Sequence, residues 1–343
     1  MSTLRAGLSG CGARGAQAAR LLRASRDCTL AALHDPDGKA LHELGGSHAI
    51  GSRHQDFDAL LQTGVDFVVL AGPCGDRLPQ VEAAAAQGVH CLLHAPMAPD
   101  AHTARAMVAA CDRAGVKLGL VIPAQADPRC EELRRLVSED FLGAIVLIHA
   151  TCADDGVLRN PPASSHWRRD PRRAGHGALR QVGSEALHLV HWLCGRAPLR
   201  VTAQTAHGLS ALPQDSAVAT LALRGGGLCT LAASHVANGN VLTLHGTDGH
   251  AIVTDEQISL RGRTALGDRL FDYNQPGVER TWSRAELGPA WTARAPELEL
   301  HSRFARWIDD LDDFPCPGDL AAEDLLALEA IDRVQHPDRS EPV

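Results

Sequence analysis

Six residues near the start of the chain, Gly10-Cys11-Gly12-Ala13-Arg14-Gly15, set three glycines in the spacing G-x-G-x-x-G, after an apolar run, Leu4 to Ser9, and before a helical pattern. In that setting the first glycine permits a tight turn. The second lets the backbone approach a diphosphate, and the third lets the helix pack close on the strand. Free N–H groups at the helix start then face the anion. Asp35, twenty residues after Gly15, ends the second apolar run. A carboxylate there accepts hydrogen bonds from both hydroxyls of an adenosine ribose. Together these signals point to NAD. A 2′-phosphate would be repelled by Asp35, so NADP, helped only by Arg14 or Lys39, is the lesser reading. The alternative is a Gly-rich turn and a helix-capping Asp with no ligand.

The elements that must position these residues follow from periodicity. Short apolar runs at Leu4–Ser9, Cys28–His34, Phe67–Leu70, His90–Leu93 and Lys117–Ile122 read as strands. Between them, Ala16–Arg23, Phe57–Gln62, Leu78–Gln87 and Ala101–Ala114 are rich in Ala, Leu and Gln and read as helices. Strand and helix in alternation imply a parallel sheet with helices on both faces. After a linking helix near Asp127–Ser138 the pattern changes to successive strands at Ala144–Ala150, Val201–Thr205, Ala217–Leu223, Leu228–Ser234, Val241–Gly246 and Ala251–Thr254. One long helix, roughly Gly177–Leu193, interrupts them, and helices near His301–Asp312 and Leu320–Val334 close the chain. The expected fold is an α/β Rossmann dinucleotide-binding domain, residues 1–123, followed by an α+β domain with a mostly antiparallel open sheet, residues 124–343. The last helices are free to pack back on the first domain.

Composition narrows the partners. The chain has 343 residues and a formal net charge of −8, which argues against nucleic acid, since the phosphate backbone needs clustered cations. The run Arg168, Arg169, Arg172, Arg173 reads first as a solvated loop and second as an anion contact. No apolar stretch is long enough to span a membrane, and Met1–Gly10 has no leader-like pattern, so a cytoplasmic protein is expected. The ten cysteines lack a Cys-x-x-Cys pair and read as reduced, small hydrophobes.

With these motifs placed, the chain resembles the glucose-fructose oxidoreductase, inositol dehydrogenase and rhizopine-catabolism (Gfo/Idh/MocA) family nearly end to end. Phe67–Pro73 is similar to its fourth strand and following turn, Phe141–Ile145 to its entry into the second domain, and Ala174–Leu179 to its glycine-rich stretch. Gly246–Gly249 is similar to a turn in its sheet. The resemblance implies a cofactor surface made by Gly10, Gly12, Ala13, Arg14, Gly15, Asp35, Gly72, Pro73, Arg77, His94 and Ala95. It also implies a small polyhydroxylated substrate and a homodimer or homotetramer formed through the open face of the second-domain sheet. An uncovered sheet face itself calls for such cover.

The resemblance breaks where the chemistry should be. The family's Glu-Lys-Pro is His94-Ala95-Pro96 here, and its Asp-x-Gly-x-His-x-x-Asp is Gln181-Val182-Gly183-Ser184-Glu185-Ala186-Leu187-His188. A basic pair after the sixth strand is replaced by Ala124-Gln125. Oxidising an alcohol needs a base for the hydroxyl proton and a cation near the developing alkoxide. Ala95 and Gln181 supply neither. Glu185 is the candidate base, and His94, His176 or His188 the candidate source of a proton or positive charge. Two other readings stay open. One is a binding or regulatory subunit that has lost catalysis, and the other is a redox-neutral enzyme that uses NAD transiently.

Glu185, His188 and His191 recur at three-residue steps, but the steps drift around a helix, so site-lining polar groups are expected rather than a metal centre. Trp167 reads as packing or as a cover over the cofactor or substrate. Cys11 need only be small.

Overall fold

The computed structural model describes residues 3–163, 166–175, 177–210, 212, 214–262, 279–283, 296–333 and 341–342. The chain divides into two compact units. The first comprises Met1–Pro123, Asp170–Gly175 and Pro296–Leu325; the second comprises Ala124–Arg169, His176–Ala295 and Leu326–Val343.

In the first unit the elements run β1 (Leu4–Ser9), α1 (Ala13–Ala24), β2 (Cys28–His34), α2 (Gly38–Ser47), β3 (Arg53–His54), α3 (Phe57–Leu61), β4 (Phe67–Leu70), α4 (Arg77–Ala86), β5 (His90–His94), α5 (Ala101–Ala114) and β6 (Leu118–Val121). They form one six-stranded sheet in the order β3-β2-β1-β4-β5-β6, with every pair parallel. That order is the doubly wound arrangement, which reverses direction between β1 and β4 and opens a crevice at the carboxyl ends of the strands. Strands β4 and β6 are buried along their whole length, as a sheet covered on both faces requires.

Helix α2 is absent from the sequence expectation. Gly38, Gly45 and Gly46 dilute its apolar pattern, but Asp37 caps it by accepting from the amides of Lys39 and Ala40. The helix Pro296–Ile308 belongs to the same unit. Its Phe304 ring lies 5.6 Å from Phe67 and 5.4 Å from Phe314, and Gly119 leaves room for both Phe304 and Phe314.

The second unit carries α6 (Pro128–Ser138), β7 (Ile145–Ala153), a helix at Ser184–Cys194, then β8 (Pro198–Ala206), β9 (Ser216–Leu223), β10 (Leu228–Ser234), β11 (Val241–Gly246), β12 (Gly249–Thr254), β13 (Gln257–Gly262) and β14 (Glu279–Ser283). The sheet order is β14-β13-β12-β11-β7-β10-β9-β8, with Glu341–Pro342 added beside β8. All pairs are antiparallel except β7 with β10. Side chains alternate: Ile148, Ala150, Leu231 and Leu244 are buried, whereas Leu147, Val218, Leu228 and Val241 stand exposed on the other face, and Val146 is the extra, exposed residue where the register of β7 with β11 shifts. Strands β13 and β14 also escaped the sequence expectation, because β13 is buried at three successive residues and shows no clean alternation.

The expected helix, roughly Gly177–Leu193, is found as a helical run over 177–194 with one irregularity. A π-turn occupies Leu179–Gly183 before the regular helix begins at Ser184. A Cβ at Gly183 would stand 3.0 Å from the Cβ of Ala233, so the turn lies close against β10. Among the described residues no helix is long and apolar enough to cross a membrane.

Phe304→Ala should lower unfolding stability by about 3–5 kcal/mol in a denaturant titration, as for other large-to-small core changes. A loss under about 1 kcal/mol would mean that the Pro296 helix is not part of the first unit's core.

Candidate functional site

The glycine turn takes a form that an anion can enter. Gly10 has φ +97°, and a Cβ there would lie 2.6 Å from the amide nitrogen of Gly72. A Cβ at Gly15 would lie 1.8 Å from the carbonyl oxygen of Gly10, so the helix closes onto its own turn. A Cβ built at Gly12 would meet nothing within 4 Å beyond its own chain neighbours. Gly12 is also the N-cap of α1 and no side chain caps the helix there, which leaves the first amides, including those of Ala13 and Arg14, open to a ligand. Open space, unspent N–H groups and the positive end of the helix dipole together fit a diphosphate.

Asp35 closes the other side. Its carboxylate accepts the Cys11 amide at 2.6 Å and the Asp37 amide at 2.8 Å. The cap of α2 is Asp37, so Asp35 is not a helix-capping residue. A carboxylate has about four acceptor sites, and two remain for ribose hydroxyls. The Cys11 thiol is pushed up to about 12 by burial and then by Asp35 and Asp37, which removes it as a thiolate. Below the turn, Ser9 Oγ is hydrogen bonded to His34 Nδ1 at 2.8 Å and accepts from Gln80 Nε2 at 3.1 Å. The sequence reading missed this support, because Ser9 and His34 are strand ends whose partnership only the β1–β2 pairing reveals.

Gly72 and Pro73 follow β4 and are half-buried, with no atom within 4 Å of a Cβ built at Gly72. Arg77 does not extend toward a ligand as expected. It is buried, and its guanidinium donates to the carbonyl oxygens of Gly72 (2.8 Å), His94 (2.5 Å) and Pro96 (2.8 Å). Burial pulls its pKa down to about 10. His94 needs a correction too. Its ring is buried 6.0 Å from that of His301, its Nε2 has no hydrogen-bond partner, and burial, then His301, hold its pKa well below the usual imidazole range. It is neutral and cannot supply the positive charge considered above. The Ala95 side chain is buried, and its carbonyl accepts from Arg14 at 3.1 Å.

In the second unit the π-turn and the Ser184 helix carry the remaining candidates. Gln181 and Glu185 are half-buried. His188 and His191 are buried, and the His188 carbonyl accepts from Gln125 Nε2 at 3.4 Å. The structure therefore separates Glu185, which solvent reaches, from His188, which it does not. His176 lies outside the described residues. Among the described residues no group of three or more His, Cys, Asp or Glu side chains is placed to hold a metal ion. Trp167 stacks on His166 at 5.5 Å and lies beneath Arg168.

Sequence reasoning missed His235. It follows β10, is buried with an unpartnered Nε2, and lies near Arg168, Asp154 and Asp215. Burial, then Arg168, lower its pKa to about 4. Nothing local marks it, since a lone His after a strand has no spacing signal.

The folded His235 stays neutral where an unfolded histidine takes up a proton. Unfolding stability should therefore fall as pH drops from about 6.5 towards 4, by up to roughly 3 kcal/mol from this residue. His235→Gln should flatten that slope in denaturant titrations across this range. An unchanged slope would place the proton uptake on other histidines.

The comparisons with known proteins agree with this geometry. The profile described as "Oxidoreductase family, NAD-binding Rossmann fold" matches residues 4–121, and the "GFO/IDH/MocA C-terminal domain" profile matches residues 130–252. The chain is 27% identical over 198 residues to the rhizopine catabolism protein MocA of Rhizobium meliloti, covering 58% of this chain and 59% of that one. It is 32% identical over 165 residues to inositol 2-dehydrogenase 4 of Saccharopolyspora erythraea, covering 47% and 48%. The matches thus span about half the length of the curated relatives. Among solved structures, an oxidoreductase domain protein from Kribbella flavida shares the fold, with a TM-score of 0.88 at 19% identity over 100% of both chains. The two profiles follow one another along the chain, the first over the parallel sheet and the second over most of the open sheet, and the chain belongs to the Gfo/Idh/MocA family of NAD-binding oxidoreductases.

Proposed function

We propose that the chain is an NAD-dependent oxidoreductase acting on a hydroxyl of a sugar, a cyclitol or a related polyhydroxylated small molecule, with Glu185 as the proton acceptor. The observation that carries the cofactor choice is the Asp35 carboxylate, anchored by the Cys11 and Asp37 amides. Of the two cations weighed for a 2′-phosphate, Arg14 is engaged by the Ala95 carbonyl and Lys39 lies 4.0 Å from Glu43, which favours NAD over NADP.

When bound, NAD supplies the hydride acceptor; the chain supplies the base. Glu185 is a half-buried carboxylate on the first turn of its helix. The nearby Cys152 thiol is raised to about 12, by burial first and the Glu185 charge second, and so stays protonated beside it. The substrate class rests on the relatives' names.

A second reading, an NAD-binding subunit without turnover, is favoured by Ala95 at the family's lysine position and by the neutral, buried His94. Exposed Leu147, Val218, Leu228 and Val241 on the outer sheet face support a homodimer or homotetramer, measurable by sedimentation. Free thiols at all ten cysteines support a cytoplasmic setting.

Purified protein titrated with NADH should bind it, and a second sample supplied with oxidised NAD and screened against polyols and sugars should show growth of the reduced-nicotinamide absorbance band. Glu185→Gln should reduce kcat by roughly 10²–10⁴-fold with NADH binding intact. Tight binding with no turnover selects the second reading, and product without NADH accumulation selects a redox-neutral enzyme. Asp35→Asn should weaken NADH binding roughly tenfold and narrow the preference over NADPH. An unchanged preference would remove Asp35 from the discrimination.

A further inference from the structure

The sheet order places two mononucleotide-binding halves side by side, β1 to β3 and β4 to β6. A dinucleotide bound across the switch point lays its adenosine half against the first and its second nucleotide against the turns that follow β4 and β5. Those two turns leave adjacent parallel strands, with Leu70 paired to Leu93. A side chain that bonds to both turns fixes their separation.

Arg77 does so. It begins α4, and from there Nε (3.2 Å) and Nη2 (2.8 Å) hold the Gly72 carbonyl in the first turn. Nη1 holds the His94 (2.5 Å) and Pro96 (2.8 Å) carbonyls in the second, with Met97 O at 3.5 Å. A planar guanidinium has donors on both sides of one rigid fork and can bridge two strands' ends, whereas an ammonium on a flexible stem cannot fix both at once. The residue is 2% exposed and buried beside Cys74 and Asp76, whose charges favour its ionised form, while its hydrogen bonds go to backbone carbonyls. Backbone carbonyls therefore help to offset a buried cation here, and they do so only while both turns keep their places. Arg14 adds a third tie, from α1 to the Ala95 carbonyl between the two that Arg77 holds.

We infer that Arg77 is a positioning residue for the nicotinamide half of the cofactor: it fixes the distance between the β4 and β5 turns and makes no contact with the diphosphate or the adenosine. The inference rests on the cofactor reading above. It separates two affinities that a general loss of structure would lower together.

The test compares NADH with ADP, which carries the adenosine and diphosphate but no nicotinamide nucleotide. Affinities are measured by calorimetry on the full chain, for the wild type, Arg77→Lys and Arg77→Gln, each checked for folding by circular dichroism. Both variants should bind NADH about tenfold more weakly or worse while ADP affinity stays within about twofold. Equal losses for both ligands would overturn the inference, and so would unchanged NADH affinity. Failure of both variants to fold would also overturn it, since it would make Arg77 a determinant of the fold rather than of cofactor placement. If the wild type bound neither ligand, the cofactor reading itself would fall.

Discussion

The hydrogen bond from the Cys11 amide to the Asp35 carboxylate is the constraint around which the first unit is arranged. It ties the turn after β1 to the end of β2, so the amides at the start of α1 are presented at a fixed distance from the carboxylate. Everything near it serves that geometry. Gly10 and Gly15 remove the side chains that would collide with Gly72 and with the turn itself. Ser9, His34 and Gln80 fill the space below with a closed set of hydrogen bonds. A polar network in a buried place persists when its members are satisfied, and then it holds one geometry rather than several.

The turns after β4 and β5 follow a different rule. They are held by a buried charge and accompanied by imidazoles kept neutral, His94 and His301. Burial disfavours the ionised form of both residue types, but a guanidinium loses its proton only far above neutral pH whereas an imidazole loses it near neutrality. Arg77 therefore keeps its charge and organises carbonyls. His94, one strand away, gives up its charge and packs. At His94-Ala95-Pro96 the turn presents backbone oxygens, and α1 and α4 supply the cations that bind them, Arg14 and Arg77.

Much of the fold was legible in the chain. The alternation of apolar runs and Ala-rich segments located β1, β2, β4, β5 and α5, because each is long or uniformly apolar, and the antiparallel strands β10 and β11 were bounded as found. Helix α2 was hidden by its glycines, and β13 by a buried run without alternation. At the site, the glycine spacing and Asp35 were readable because their roles are backbone roles with fixed spacing. Arg77, His94 and His235 were not, since what each side chain touches depends on neighbours 15 or more residues away, Arg77 on His94 and Pro96 among them. Glu185 reads as a base and His188 as a source of a proton or positive charge on one helix, and burial separates the half-exposed carboxylate from the enclosed imidazole.

The wide turn at Leu179–Gly183 changes how the neighbouring residues are to be counted. In a regular helix each residue advances the side chain by about 100°. The wider π-turn breaks that count, so a wheel drawn at that step from Gln181 through Glu185 misplaces one residue against the other. The direction in which a side chain faces in this stretch is therefore set by the phase of the backbone as much as by its place in the sequence.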